Sequence, residues 1–525
     1  MKDEINITHL NRFAIHISFE VTSLGNPDLQ YLFNPRNVCV IGASSKQNKV
    51  GAQVLMNIIA CKFQGAVYPI NPKHDTLFGV KTYPSVKELK GDLDLAIITI
   101  PNVKVPAALE ECIAQNVKFA VIITAGFGEM VDFVPQGQEL RNNVLHLLKT
   151  SDIRVVGPNC MGVVSTESSM VGLMGLGFPP ARQKVNASIV SQSGTWGITT
   201  MRAATVQGLG FSKFVSSGNE IDLKFEDYLQ FFGSDPDTQV ILGFIEGLRQ
   251  GRRFVELIKK IHKPIILIKG GKTEGGRAAA KSHTGSMAGS IELYEALFKQ
   301  YGIIQVNNMP ELVDMGRAFA QCLATNPPKF PKGKQLGLSS GGGGFCVLMA
   351  DHAESEGLTL AELDPTSIEK LNRLLPSYWP HRNPVDLVAS WDFGTYPKVL
   401  KILLEDPNID AVITRPPLGF SLMYESEDVM QFVKENQFSS INMPKEMIEG
   451  FDMSMVRNIG RLAKSSTKPV VLPLGFYTAE GPKQYKIVRE LLKQGVLVAP
   501  SGKIASRILY NLHEYYKYQQ RLNEQ

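Results

Sequence analysis

The chain is poor in the features that mark several large protein classes. Its six cysteines, Cys39, Cys61, Cys112, Cys160, Cys322 and Cys346, form no CxxC pair and no His/Cys cluster at zinc spacing. Neither a disulfide framework nor a structural metal site is expected from them. No block of like charge occurs: 55 basic residues oppose 50 acidic ones, leaving +5 over 525 positions. Such a field is too weak to argue for nucleic acid or a membrane as partner. The longest apolar runs, such as Leu95 to Ile100, are strand-sized and far short of the roughly 20 residues that cross a bilayer. Met1-Lys-Asp-Glu lacks the basic, apolar and small-residue succession of a signal peptide. A cytoplasmic protein acting on small molecules is the expectation.

What is present is ordinary for globular protein: 44% apolar and 20% charged residues. A length of 525 residues suggests three or four domains at roughly 150 residues each. From residue 36 onward, short β-rich runs bounded by Gly, Pro or Asn alternate with amphipathic stretches of helix length, the pattern of βαβ units in parallel sheets. Strands are predicted at Val38–Ile41, Ala66–Ile70, Leu95–Ile100, Phe119–Thr124, Ser188–Ser191, Val240–Ile245, Ile265–Lys269, Gln335–Leu338, Ala411–Thr414 and Val470–Leu474. Two connectors, Gly157-Pro-Asn-Cys-Met-Gly-Val and Asn326-Pro-Pro-Lys-Phe-Pro-Lys-Gly, divide the chain into an extension over 1–30 and domains over 31–160, 161–325 and 326–525. The polar, Met-rich stretch Ser421 to Met455 reads as a helical excursion in the last of these.

Most predicted strands end in a small-residue turn, where α/β proteins place their ligands. The first, Val40-Ile-Gly-Ala-Ser-Ser-Lys-Gln-Asn-Lys-Val-Gly51, leads into a helix and suits a phosphate. It is not the dinucleotide fingerprint, because Ala43, Ser44 and Ser45 stand where close glycines belong. A nicotinamide oxidoreductase also needs an acid at the end of the second strand, where this chain has Asn71. Lys269-Gly-Gly-Lys-Thr273 lacks the first glycine of a P-loop, since Ile266 holds that position. Ile189-Val-Ser-Gln-Ser-Gly194 lacks the GxSxG of a nucleophile elbow and reads as an anion site at a helix start. Beyond the Ile265–Lys269 strand, His283 lies among small residues and hydroxyls in Ala280-Lys-Ser-His-Thr-Gly-Ser-Met-Ala-Gly289. A histidine in so uncluttered a loop can accept and release a group.

Together these motifs resemble the NDP-forming acyl-CoA synthetase superfamily: α subunits of succinyl-CoA synthetase and, more closely, of ADP-forming acetyl-CoA synthetase. The resemblance is carried by Val40-Ile-Gly-Ala-Ser, Tyr68-Pro-Ile-Asn-Pro, Ile122-Ile-Thr-Ala-Gly-Phe-Gly-Glu, Gly157-Pro-Asn-Cys-Met-Gly, Ser191-Gln-Ser-Gly, Phe244-Ile-Glu-Gly, Ser282-His-Thr-Gly-Ser and Asn383-Pro-Val-Asp386, in order along the chain. It implies an α/β fold with a Rossmann-like CoA-binding domain followed by two flavodoxin-like domains of the succinyl-CoA synthetase type. It also implies that His283 is the phosphohistidine of a relay, with Glu246 as the carboxylate that orients it. Gly42, Ala43, Ser44 and Lys49 match the loop around the CoA phosphates; Lys73 can pair with a phosphate or stand solvated. Pro101 and Asn102 match the adenine or pantetheine arm, and Asn159 and Cys160 the thioester end. Ser191, Gln192, Ser193, Gly194, Thr284 and Gly285 match a phosphoryl cradle, with no metal among these residues. Cys160 is not expected to be a nucleophile.

No stretch resembles the ATP-grasp module that binds the nucleotide in this superfamily. The resemblance therefore implies a separate ATP-grasp β subunit carrying ADP/ATP and Mg2+, within a hetero-oligomer. The other reading is a non-catalytic protein that binds CoA or acyl-CoA as a sensor or scaffold and leaves His283 unused.

Overall fold

The computed structural model describes residues 28–129, 135–175, 185–284, 290–388, 394–423, 427–435, 444–475 and 482–524. The first sheet is built from β1 (Asn37–Ile41), β2 (Ala66–Ile70), β5 (Leu95–Ile98), β6 (Phe119–Ile122) and β7 (Arg154–Val156), with a small antiparallel pair, β3 (Thr76–Leu77) and β4 (Val80–Lys81), beside it. Its order is β2-β1-β5-β6-β7 and every pairing is parallel, with Val38 opposite Val67 on one side and Leu95 on the other. Parallel strands are covered on both faces, so they read as unbroken apolar runs. Leu95-Ala-Ile-Ile98 and Phe119-Ala-Val-Ile122 are buried at every position.

The second sheet contains β8 (Gly162–Ser165), β9 (Met170–Leu173), β10 (Asn186–Ser191), β11 (Gly210–Ser216), β12 (Val240–Ile245), β13 (Ile265–Lys269) and β14 (Ile304–Val306). Its order is β14-β13-β12-β10-β11-β8-β9, parallel throughout except for β8, which runs antiparallel to both of its neighbours, β11 and β9. The third contains β15 (Gln335–Ser340), β16 (Thr359–Leu360), β17 (Val385–Asp386), β18 (Ala411–Arg415), β19 (Val470–Pro473) and β20 (Leu497–Ala499). It is parallel, ordered β16-β15-β18-β19-β20, with β17 alongside β15. The fold is thus a Rossmann-like layer followed by two flavodoxin-like layers. All ten predicted strands are present, and between β18 and β19 the chain is helical over Phe420–Met423, Glu427–Glu435 and Lys445–Ser465.

Two apolar cores join the layers. One packs Val38, Leu95 and Val163 with Val190, Phe225 and Leu267, linking the first and second sheets. The other links the second and third, with Ile189, Leu242 and Phe319 meeting Leu336, Ile413 and Ile508. Ile508 lies on the helix Gly502–Asn523, a strap whose Arg507 is 3.0 Å from both Glu311 and Glu356. On the same helix, Tyr515 Oη donates to the His262 carbonyl at 2.7 Å. Among the described residues no helix is long and apolar enough to cross a membrane.

Candidate active site

In an open α/β sheet the ligand crevice lies beyond the carboxyl ends of the strands, where strand order reverses. The first sheet reverses between β1 and β5, and the second between β10 and β12. A cavity of about 790 Å³ joins these two edges. Gly42, Ala43, Ser44 and Lys49 line it after β1, Thr99, Ile100 and Pro101 after β5, and Asn159, Cys160 and Met161 after β7. Gln192, Ser193, Gly194 and Thr195 line it after β10, and Gly218 and Asn219 after β11.

The loop after β1 is shaped for close approach of backbone. Gly42 has φ +91°, and a Cβ there would stand 2.8 Å from Ile100 Cγ2. A Cβ on Gly51 would fall 2.0 Å from the Gly42 carbonyl oxygen, so only glycine lets the helix Val50–Ala60 press its start against the loop. Asn71 fixes the loop from the next strand: its Nδ2 donates to the Ala43 carbonyl at 2.7 Å, and its Oδ1 accepts from Lys73 N–H at 2.8 Å. No side chain caps Val50–Ala60, and none caps Gly194–Val206. Two helix starts with uncapped N–H groups therefore border one cavity, a setting that favours phosphate at both. Lys49 carries the only formal charge among the described residues lining it.

Across the cavity, Thr124-Ala-Gly-Phe-Gly-Glu129 is closed by its own acid. Glu129 Oε2 accepts from Gly126 and Phe127 N–H at 3.0 and 2.7 Å, while Oε1 accepts from Asn219 Nδ2 at 2.6 Å. Asn159 Nδ2 donates to Asn219 Oδ1 at 3.3 Å, and Asn219 N–H donates to the Pro158 carbonyl at 2.9 Å. The turn after β11 thereby clasps the first layer. Cys160 is buried, and its Sγ donates to the Ile122 carbonyl at 3.3 Å. Burial pushes its pKa up to about 12, which suits a wall and not a nucleophile.

Gln192 lines the cavity but spends its amide on protein. Oε1 accepts from Glu246 and Gly247 N–H at 2.6 and 3.2 Å, and Nε2 donates to Glu220 Oε1 and the Gly247 carbonyl at 3.1 and 2.8 Å. Ser191 Oγ likewise turns inward, donating to the Ser193 carbonyl at 2.6 Å. Glu246 is buried at the end of β12, and the Lys269 ammonium donates to its carbonyl at 2.7 Å. Lys269 is itself almost fully buried, and burial lowers its pKa.

Ten of the predicted site residues thus meet in one cavity: Gly42, Ala43, Ser44, Lys49, Pro101, Asn159, Cys160, Gln192, Ser193 and Gly194. Asn102 lies just behind it, its Nδ2 donating to the Gly126 carbonyl at 3.3 Å, and Lys73 is exposed outside it. His283 is not in a loop as expected but in the last turn of the helix Glu274–Thr284, where Ala278-Ala-Ala-Lys281 favours helix. Only the backbone of His283 and Thr284 is described, and Gly285 lies outside the described residues. Among the lining residues that sequence reasoning did not single out, Met161, Met174, Thr195, Gly218 and Asn219 lie on turns or on elements not predicted as strands. A usable signal for the last two was the small-residue run Ser216-Ser-Gly-Asn219.

A Rossmann-like layer sharing a cleft with a flavodoxin-like layer is the architecture of the CoA ligases. Residues 36–166 match the CoA binding domain family, 184–319 the succinyl-CoA ligase like flavodoxin domain, and 337–430 the ligase-CoA domain. The chain is 39% identical over 414 residues to the α subunit of ADP-forming acetate–CoA ligase II of Pyrococcus furiosus, covering 78% of this chain and 87% of that one. It is 41% identical over 364 residues to the ADP-forming acetate–CoA ligase of Methanocaldococcus jannaschii, covering 69% of this chain and 49% of the relative's length. Among solved structures it resembles Candidatus Korarchaeum cryptofilum dinucleotide-forming acetyl-coenzyme A synthetase 1 in complex with phosphate and ADP. That match has a TM-score of 0.78 at 30% identity and covers 95% of this chain and 99% of that one. The chain belongs to the NDP-forming acyl-CoA synthetase family, the ADP-forming acid–thiol ligases, and corresponds to their α-subunit portion.

Proposed function

We propose that the protein is the α subunit of an ADP-forming acid:CoA ligase, interconverting acyl-CoA, phosphate and ADP with acid, CoA and ATP. The observation that carries this reading is the shared cavity, which sets the Gly42–Lys49 loop opposite the uncapped start of the helix Gly194–Val206. The glycine contacts, the Asn71 clamp and Lys49 fit the phosphates of CoA. Asn159 to Met161 and Ser193 to Thr195 fit the thioester end and inorganic phosphate.

A phosphate oxygen attacks the thioester carbonyl carbon, the C–S bond breaks, and CoA leaves with the acyl phosphate formed. N–H groups at the start of the helix Gly194–Val206 stabilise the oxyanions. A neutral His283 nitrogen then attacks phosphorus and releases the carboxylate, and Glu246 fixes the imidazole tautomer and balances the cation. The phosphoryl group passes to ADP, held with Mg2+ by a separate ATP-grasp β subunit in a hetero-oligomer. Six free, buried cysteines support a reducing, cytoplasmic setting.

The test incubates the full chain with radiolabelled inorganic phosphate and a panel of acyl-CoAs, with and without a candidate ATP-grasp partner. Acid-labile, base-stable label that needs an acyl-CoA and disappears in His283→Ala is the expected result. CoA binding without label under either condition would leave the sensor or scaffold reading in its place.

A further inference from the structure

Three neighbouring strands of the second sheet, β12, β10 and β11, end beside the shared cavity, and one set of hydrogen bonds ties those ends together. Gln192 follows β10, Glu246 follows β12, and Glu220 lies in the turn after β11. All four hydrogen-bonding positions of the Gln192 amide are filled, two by Glu246 and Gly247 N–H, one by the Gly247 carbonyl and one by Glu220 Oε1. Glu220 Oε1 is held in turn by Ser217 Oγ at 2.8 Å. Glu220 Oε2 is buried with no hydrogen-bond partner among the described residues, and Arg249 Nε lies 4.0 Å away.

We propose that Glu220 is a positioning residue for the relay, acting through Gln192 to set where the Glu246–Gly247 turn stands relative to the cavity. The inference rests on the reading of Glu246 as the carboxylate that orients His283. Geometry shows that the arrangement is enforced. Glu220 has φ +55°, a left-handed backbone that a glutamate adopts only when its surroundings impose it. The same turn is pinned to the first layer at both ends: Asn219 N–H donates to the Pro158 carbonyl at 2.9 Å and Ile221 N–H to the Gly157 carbonyl at 3.0 Å. The wall that meets CoA and the acid that serves the histidine are thereby one hydrogen-bonded unit. Without Glu220, one Gln192 N–H is buried unsatisfied, and the amide can relieve that only by turning away from Glu246.

The test compares wild type, Glu220→Ala, Glu220→Gln and Gln192→Ala as full chains. Amide hydrogen exchange over residues 244–249 reads the brace, and the rate of His283 labelling from inorganic phosphate and acetyl-CoA reads the reaction. Glu220→Ala is expected to expose the Glu246 and Gly247 amides and slow labelling on the order of 10- to 100-fold, the scale of an ångström-level misplacement. The KM for acetyl-CoA should stay near wild type. Glu220→Gln should behave as wild type in both, because its carboxamide oxygen still accepts from Ser217 and Gln192. Should Glu220→Ala not fold, Gln192→Ala carries the same two expectations. Wild-type exchange or labelling in the alanine variants overturns the proposal, as does a glutamine variant as slow as the alanine one. A wild-type chain that labels with no acyl-CoA of the panel, with or without the candidate ATP-grasp partner, while the exchange pattern follows the brace, overturns the relay reading and with it the role given to Glu220.

Discussion

Glu220 and Cys160 show how burial sets the chemistry of a single side chain. Burial, and next the Glu226 carboxylate, push the Glu220 pKa up to about 7, against the Ser217 and Gln192 donors and the Arg249 guanidinium. A folded-state pKa above the ordinary 4.5 means that the native protein holds this proton more tightly than the unfolded chain. The stabilisation is complete below about pH 4.5 and is lost as pH rises through 7, by up to about 3 kcal/mol. Glu220→Gln removes that slope, so the difference between the two thermal-unfolding profiles over pH 5 to 8 should isolate it. Cys160 behaves oppositely in function, since a thiol pushed up to about 12 stays neutral. It should resist iodoacetamide at pH 8 in the native protein, and Cys160→Ala should keep the phosphate label. At this scale much of the lining of the candidate site was legible, because residues such as Gly42 and Gly194 sit in small-residue turns at strand ends, where α/β proteins place their ligands. The multiple bonding of Gln192 was not, since nothing in Ser191-Gln-Ser-Gly194 shows where an amide points.

Among the elements, the strand β11 explains why part of the site stayed hidden. Its sequence, Gly210-Phe-Ser-Lys-Phe-Val-Ser216, carries a lysine and two serines, yet every residue is buried. The Lys213 ammonium is fully buried and pairs with Asp235 at 2.9 Å, so a polar-looking run serves as an interior strand. Hydrophobic periodicity cannot detect a partner 22 residues away. With the strand missed, its ligand-side turn, Gly218 to Glu220, was missed too. Lys213→Met removes the 2.9 Å ion pair of the buried Asp235 carboxylate, leaving it the neighbouring Lys263 ammonium, and should cost about 3 kcal/mol in urea denaturation. The helix Val50–Ala60 offers a second test. Gly51→Ala drives a methyl into the Gly42 carbonyl, and calorimetry should show CoA affinity falling by roughly tenfold or more, about 1.4 kcal/mol.

Across the whole molecule, the layers were readable because each βαβ unit repeats the same alternation of buried runs and small-residue turns. Their mutual arrangement was not, since the surfaces that join them draw on residues far apart in sequence. The strap Gly502–Asn523 places Ile508, Leu509 and Leu512 in the core shared by the second and third sheets. Arg507→Ala breaks its pairs with Glu311 and Glu356 together, and proteolysis should then release the strap before the sheets open. The strap also fixes a timetable. It is synthesised about 180 residues after the helix Met309–Leu323 that it covers. At 5–20 residues per second, that apolar face waits roughly 10 to 35 seconds for its cover during synthesis. Newly made chains should therefore be most prone to chaperone capture in that interval.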